Sequence, residues 1–198
     1  ILGLPVWKDV SEDVYDLLVG HEVGHALFTP DDNLEDLCSE IDENPNNYPV
    51  VKSYINILED IRIEKKIKRK FSGLRKSFYR GYTELVEKNF FGTDGRLLES
   101  YSFIDRINLR FKTGMDIPFN DREKDVVRRL ENLETFEEVL DISKELYEGS
   151  MDNDKLETET TYVQDNDGEE NSGDTTIETI PTSGMETPDT CLLYTSDA

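Results

Sequence analysis

The chain has 198 residues, of which 44 are Asp or Glu and 22 are Lys or Arg, so its formal net charge is −22. An acidic surface repels nucleic acid and anionic lipid, which argues against both as the main partner. No apolar run reaches the roughly 20 residues of a membrane-spanning helix, and no signal peptide is recognisable. The two cysteines form no disulfide framework, so we expect a soluble protein of the cytoplasm.

Helical periodicity dominates the first 149 residues, and the predicted fold class is mainly α. The first segment, ILGLPVW, is short and apolar and contains Pro5, which predicts an edge strand. Ser11 can cap a helix whose first turn carries Glu12 and Asp13 and which ends at TPDD. An acidic connection follows up to Pro49, and further helices are predicted at residues 50–71, 97–111, 121–133 and 135–149, the last with a capping box.

Composition divides the chain into three segments. Residues 1–149 are the predicted domain, which we interpret as N-terminally truncated because the chain starts without Met. Residues 150–190 are acidic and poor in apolar side chains, so they cannot bury enough surface to offset the entropy of ordering, and we predict a disordered linker. Residues 191–198 resemble the translation of a sequencing adapter and carry no weight in the fold prediction.

Both histidines of the chain lie in the segment HEVGH, which has the pattern H-E-x-x-H. On a helix His21 and His25 share one face, so their imidazoles can bind a single metal ion. Glu22 is rotated away from that face and can reach a water molecule at the metal. Residues 17–29 carry no other ionisable side chain, which predicts a helix buried on all sides; core histidines bound to carbonyl groups are the less favoured alternative.

The third metal ligand is expected to be a carboxylate or a cysteine, because the chain has no third histidine. In NILEDIRIE, Glu59 and Asp60 lie among isoleucine and leucine, and a carboxylate that faces an apolar interior needs a cation. We predict Glu59 as the ligand and Asp60 as the acceptor that orients a histidine N–H, and the two can exchange roles. Two alternatives stay open: the carboxylates face water or pair with Arg62 and Lys65, or Cys38 is the ligand.

The segments HEVGHALFTP and NILEDIRIEKKI resemble the zincin metallopeptidases, in the branch whose third ligand is a glutamate on a following helix. They are most similar to tailed-phage proteins described as peptidases, which often carry a von Willebrand factor A domain, and distantly to cobaltochelatase-type subunits. The resemblance covers about residues 4–82, and the interval from His25 to Glu59 is longer than in thermolysin-like members. It implies a zincin-like helical core, a Zn²⁺ ion, a peptide or protein substrate, an A-type domain beyond the linker, and a location in host cytoplasm or virion.

The predicted function is therefore peptide-bond hydrolysis by a zinc-dependent metallopeptidase. His21, His25 and Glu59 hold the ion, and the pKa of its bound water falls from about 15.7 to about 7. Glu22 takes the proton of that water and passes it to the leaving amine. The donor to the oxyanion is not identified, and the conceivable side chains are Tyr79, Arg80 and Tyr82.

Two other classes of function remain open. In a phage structural or assembly protein the metal would only join two helices, and Asp60 or Cys38 would replace water as a fourth ligand. A chelatase-like adaptor would act through the missing domain. The presence of Glu22 favours the enzyme, because a purely structural site has no use for it.

The segment from Lys65 to Arg80 contains eight basic and no acidic residues, in contrast to the rest of the chain. Cations near a helix C-terminus are stabilised by its dipole, which is the favoured interpretation. The alternative is a docking surface for an acidic partner or for the acidic tail of the chain itself. Interleaved aromatic residues make nucleic acid a weaker third interpretation.

Overall fold

The computed structural model describes residues 10–163, with side chains described up to Met151. This part of the chain contains seven α-helices and two short 3-10 helices, and no strand occurs in it. The helices are α1 (Glu12–Phe28), α2 (Leu34–Ile41), α3 (Tyr48–Lys70), α4 (Leu74–Glu87), α5 (Phe103–Thr113), α6 (Asp121–Glu131) and α7 (Phe136–Val163). The predicted mainly α class is confirmed. The predicted edge strand lies outside the described residues, as does most of the predicted linker.

Helix α3 is the centre of the fold, because α1, α2, α5 and α7 all pack against it. It shares one hydrophobic core with the helices that follow α4, in which Leu58, Ile107 and Leu130 are fully buried. A second core lies where α1 packs against α4, around Val14 and Phe78. Because α3 contributes to both cores, polar side chains on it can meet residues from α1, α4 and α5 inside the protein.

Helix α1 begins and ends where the sequence predicts. The Ser11 hydroxyl accepts a hydrogen bond from the Val14 N–H at 3.3 Å, and the chain turns extended at Thr29. The prediction that this helix is buried on all sides is wrong, because Tyr15 and Leu27 are 50% and 48% exposed. The helix buries the side that faces α3 and α4 and leaves these two apolar residues in solvent.

Helices α2 and α4 lie in highly charged segments, and each of them has one apolar face. Helix α2 lies in the predicted acidic connection, yet its apolar side chains recur at helical spacing and pack against the first core: Leu34, Leu37, Cys38 and Ile41. Helix α4 lies in and after the predicted basic stretch and buries Phe78, Tyr82 and Leu85. In both helices, burial of one apolar stripe outweighs the abundance of charged residues on the other side.

The later helices differ most from their predicted bounds at two places. Helix α5 begins at Phe103 rather than at residue 97, because the Ser102 hydroxyl caps it by accepting from the Asp105 N–H at 3.2 Å. The capping box of α7 is confirmed, since the Glu138 N–H donates to Thr135 Oγ1 at 3.2 Å and the Thr135 N–H to Glu138 Oε2 at 2.8 Å. The predicted end of this helix at residue 149 is wrong, because α7 continues to residue 163.

Glycines allow α1 and α4 to approach each other closely. A Cβ atom built on Gly81 would lie 2.9 Å from Leu17 Cδ1 and 3.0 Å from the backbone oxygen of Asp13. A Cβ atom on Gly20 would lie 2.8 Å from Phe78 Cε2. A side chain at either position would therefore force the two helices apart or displace their core residues.

We predict that Gly81→Ala lowers the free energy of unfolding even though alanine is the better helix former. The gain in helix propensity is about 1 kcal/mol, whereas overpacking costs about 1–3 kcal/mol. Gly149→Ala in α7 is the matched control, because nothing lies within 4 Å of its added Cβ and only the stabilising effect remains. Urea denaturation of both variants measures whether each substitution raises or lowers the free energy of unfolding. A stabilised Gly81→Ala protein would contradict the close approach.

A second prediction concerns the contact between α7 and the end of α2, where the Tyr147 hydroxyl donates to the Asp42 carboxylate. This bond, with those from Asn44 and Asn47, lowers the pKa of Asp42 below its usual 3.8. A carboxylate with a lowered pKa stabilises the fold above its unfolded pKa and loses that effect as the pH falls through the folded pKa. Tyr147→Phe should therefore lower the melting temperature at pH 7, and the difference from wild type should narrow below about pH 4. A difference in melting temperature that does not change with pH would contradict this link between the Tyr147 hydrogen bond and the pKa of Asp42.

Candidate metal centre

Three potential ligand atoms converge between α1 and α3. His21 and His25 lie one turn apart on α1, and their Nε2 atoms are 3.2 Å from each other. Asp60 of α3 completes the group, with Oδ1 3.1 Å from His25 Nε2 and 3.5 Å from His21 Nε2. The group lies in the interior, since the side chains of both histidines and of Asp60 are at most 15% exposed.

The partners of the other ring nitrogens define which nitrogen carries the hydrogen. His21 Nδ1 lies 3.2 Å from Glu64 Oε1, a carboxylate that can only accept, so this Nδ1 is the donor. His25 Nδ1 lies 3.0 Å from Thr29 Oγ1, whose own hydrogen is donated to Glu59 Oε1 at 2.6 Å. His25 Nδ1 is therefore also a donor. In the neutral imidazoles both Nε2 atoms then carry a lone pair that faces the group.

An arrangement of three acceptors without a hydrogen between them is repulsive unless a positive charge lies among them. A tetrahedral ion with metal–ligand distances of about 2.0–2.1 Å separates its ligands by about 3.3–3.4 Å. The three observed separations, 3.1, 3.2 and 3.5 Å, bracket that value. The group of His21, His25 and Asp60 could thus hold a metal ion.

The structure places Asp60 at the two histidines, whereas the sequence predicted Glu59 there as the ligand. Glu59 is 3% exposed and forms a two-pronged ion pair with Arg62, at 2.7 Å to Nε and 2.6 Å to Nη2. Its carboxylate also accepts from the Thr29 hydroxyl. Thr29 connects Glu59 to His25, which is the outer position that was predicted for Asp60. This arrangement corresponds to the exchange of roles that the sequence left open.

Two residues of the centre, Glu64 and Lys112, are absent from the sequence prediction, and a third, Tyr82, was named there only as a conceivable oxyanion donor. Glu64 follows Asp60 by one turn of α3 and accepts from His21 and from the Tyr82 hydroxyl. Lys112 of α5 donates to Asp60 Oδ2 at 2.8 Å and lies 3.6 Å from Glu64 Oε1. The one-turn spacing of the two carboxylates was a usable signal for Glu64, whereas nothing local in the sequence connects Lys112 to the motif.

The charges around the centre keep both carboxylates ionised. Burial by itself raises the pKa of Glu64, but Lys112, the bond from His21 and Lys68 outweigh it and lower the pKa to about 2. Burial likewise raises the pKa of Asp60, and Lys112 with the two histidines holds it well below its usual value. Burial lowers the pKa of Lys112, but Asp60, Tyr82 and Glu64 outweigh it, so its ammonium group stays charged.

Glu22 lies beside the centre with its carboxylate unengaged. It is half-buried, and among the described residues it has no hydrogen-bond or ion-pair partner. Burial raises its pKa, while His21 and His25 act in the opposite direction and Asp60 again raises it. A carboxylate whose pKa is raised and which forms no other bond is suited to accept and release a proton.

The remaining candidate residues lie away from the three ligand atoms. Cys38 is buried in the first core, and its thiol donates to the Tyr48 carbonyl at 3.9 Å, so it is not near the group. Tyr79 is 74% exposed, and Arg80 lies 3.6 Å from Asp13. Of the three conceivable oxyanion donors only Tyr82 comes near the centre, and its hydroxyl is engaged with Glu64.

The basic stretch from Lys65 to Arg80 is divided between the end of α3 and the start of α4. Lys65 and Arg69 pair with Glu134 at 3.2 and 2.5 Å, and Lys68 pairs with Glu64 at 3.2 Å. These pairs show that part of the positive charge is neutralised within the chain.

Comparison of the chain with models of known protein families, with curated proteins and with solved structures gives no match. None of the described helices combines the length and apolar character needed to cross a membrane.

A pair of isosteric substitutions tests which carboxylate binds the metal. We expect Asp60→Asn to weaken zinc binding by more than about 100-fold, because loss of an outer partner alone costs about 10–100-fold. Glu59→Gln should keep stoichiometric zinc but lower the melting temperature, since Arg62 loses its buried counter-ion at a cost of about 3–5 kcal/mol. Zinc titration against a chelator and thermal unfolding measure both effects. Zinc loss in Glu59→Gln with retention in Asp60→Asn would restore Glu59 as the ligand.

Proposed function

We propose that the protein is a zinc-dependent metallopeptidase of the zincin type. The observation that carries this proposal is the convergence of His21 Nε2, His25 Nε2 and Asp60 Oδ1 at separations of 3.1–3.5 Å. The likeness of HEVGHALFTP and NILEDIRIEKKI to zincin peptidases supports the same assignment. Asp60 replaces the glutamate expected from that resemblance.

Zinc fits the donor set and the outer shell of the centre. Two imidazoles, one carboxylate and an open position are typical of catalytic zinc, and each imidazole has a partner that orients it. Glu64 orients His21, and Thr29 with Glu59 orients His25. Two histidines and one carboxylate also suit ferrous iron. The unengaged Glu22 beside the ligands favours hydrolysis, because a proton acceptor next to the metal is what hydrolysis requires.

In the proposed reaction a bound zinc ion supplies Lewis acidity, which polarises a peptide carbonyl and makes water more acidic. Glu22 accepts the proton from the attacking water and passes it to the amine that leaves. His21 and His25 hold their ligand atoms fixed through the hydrogen bonds of their Nδ1 atoms. The substrate class is a peptide or a protein, because the expected chemistry is attack on an amide carbonyl.

A purely structural metal site is the less favoured alternative. It would differ from a catalytic site by having a fourth protein ligand in place of water. Structural zinc is closed by four protein ligands. Among the described residues only three side chains form the candidate group, and Cys38 lies in a separate core. Asp60, the other proposed fourth ligand, already serves as the third. These observations support an open position, as an enzyme needs.

We predict that Glu22→Gln removes the hydrolytic activity and leaves zinc bound. The amide cannot accept a proton, so turnover of casein should fall by at least about 10²–10⁴-fold, the usual contribution of a general base. Glu12→Gln is the control, because Glu12 is an exposed glutamate in the first turn of the same helix.

Mass spectrometry for metal content and casein hydrolysis are measured on the same samples, with His25→Ala as the variant that loses the metal. Full activity in Glu22→Gln would eliminate its role as the base. Stoichiometric zinc in the wild type without hydrolysis of any protein substrate would favour the structural site instead, and iron in place of zinc would redirect the proposal to oxidative chemistry.

A further inference from the structure

Lys112 donates a hydrogen bond to the carboxylate oxygen of the candidate ligand Asp60 that does not face the histidines. Its ammonium group is 2.8 Å from Asp60 Oδ2, while Oδ1 faces the two imidazoles. The same ammonium group lies 3.5 Å from the Tyr82 hydroxyl and 3.6 Å from Glu64 Oε1. The Lys112 side chain is only 16% exposed, so its stem is fixed by packing as well as by these contacts.

We propose that Lys112 is a positioning residue that engages Oδ2 of Asp60, so that Asp60 offers a bound metal ion one oxygen and not two. This inference rests on the proposed metal site, but it does not depend on the reaction that occurs there. It assigns a role to a residue that lies 52 positions from Asp60 in the chain and on a different helix.

The consequence for the site follows from the number of ligand atoms. With one oxygen from Asp60 and one nitrogen from each histidine, the protein supplies three ligand atoms and leaves a position open. A carboxylate without a partner on its second oxygen can turn and bind a metal through both oxygens, as carboxylates commonly do. Lys112 prevents that turn because its ammonium group would lose the bond to Oδ2.

Lys112 also restrains the two carboxylates of α3 relative to each other. Asp60 and Glu64 are one turn apart on the same face, where two negative charges repel each other. The ammonium group of Lys112 lies close to both of them. Among the described residues it is the only side chain that donates to Asp60 Oδ2.

Lys68 provides a matched control within the same centre. Its ammonium group lies 3.2 Å from Glu64 Oε2 and forms no bond to Asp60. Lys68→Met therefore removes one positive charge next to Glu64 without freeing Oδ2 of Asp60. Lys112→Met removes the same charge and does free that oxygen, and Lys112→Arg keeps both a charge and a donor.

The test is the visible absorption spectrum of the protein loaded with Co²⁺, whose d–d bands are intense in four-coordinate sites and weaker in five-coordinate sites. We expect the wild type, Lys68→Met and Lys112→Arg to share a four-coordinate spectrum. We expect Lys112→Met to lose intensity, because Asp60 then binds through both oxygens. An unchanged spectrum in Lys112→Met, or an equal loss in Lys68→Met, overturns the proposal.

A second measurement does not require any variant to fold. In a crystal structure of the zinc-loaded wild type, Asp60 Oδ2 should contact Lys112 and lie outside the coordination distance of about 2.0–2.2 Å. Both oxygens within that distance overturn the proposal. The outcome is separable from the proposed function: a metal-loaded protein without peptidase activity rejects only the function, whereas an unchanged Co²⁺ spectrum in Lys112→Met rejects only the role of Lys112.

Discussion

Three carboxylates of α3 lie inside the protein, and each of them needs positive charge nearby because an unpaired buried anion costs several kcal/mol. Arg62 neutralises Glu59, and Lys68 together with Lys112 neutralises Glu64. Asp60 shares Lys112 with Glu64, and its other oxygen faces only imidazole nitrogens. Among these three carboxylates, Oδ1 of Asp60 is therefore the oxygen that no lysine or arginine contacts. A divalent cation at that point would pair with it, as Arg62, Lys68 and Lys112 pair with the other oxygens.

The centre also depends on how closely α1 approaches α3. A Cβ atom on Gly24 would lie 2.9 Å from Ile63 Cδ1, so a side chain at this position would have to displace the end of the Ile63 side chain. Gly24 lies next to His25, inside the motif itself. The glycine in HEVGH thus contributes to the close packing of α1 on α3 beside the two histidines.

The sequence predicts the parts of the centre that depend on local spacing. His21 and His25 are four residues apart, and helical geometry alone places them together. The apolar flanks do not distinguish Glu59 from Asp60, because they are the same for both residues. Arg62 distinguishes them, because an arginine three residues after Glu59 is its neighbour on the helix and pairs with its carboxylate. Lys112 was beyond prediction, because no sequence pattern tells which face of α5 meets α3.

The position of Glu22 on α1 links the buried ligands to the surface. Each residue turns the helix by about 100°, so Glu22 lies about 100° from His21 and about 60° from His25 around the helix axis. Tyr15, two turns earlier on the same side of the helix as Glu22, is 50% exposed. Glu22 consequently stands at the border between the interior and solvent, and its half-buried state follows from that position. In the proposed function, a metal ion held inside the protein and a substrate that arrives from solvent would meet at such a border. The four-residue spacing of H-E-x-x-H would then do more than pair two ligands, because the glutamate between the histidines would lie where a proton acceptor can reach a substrate.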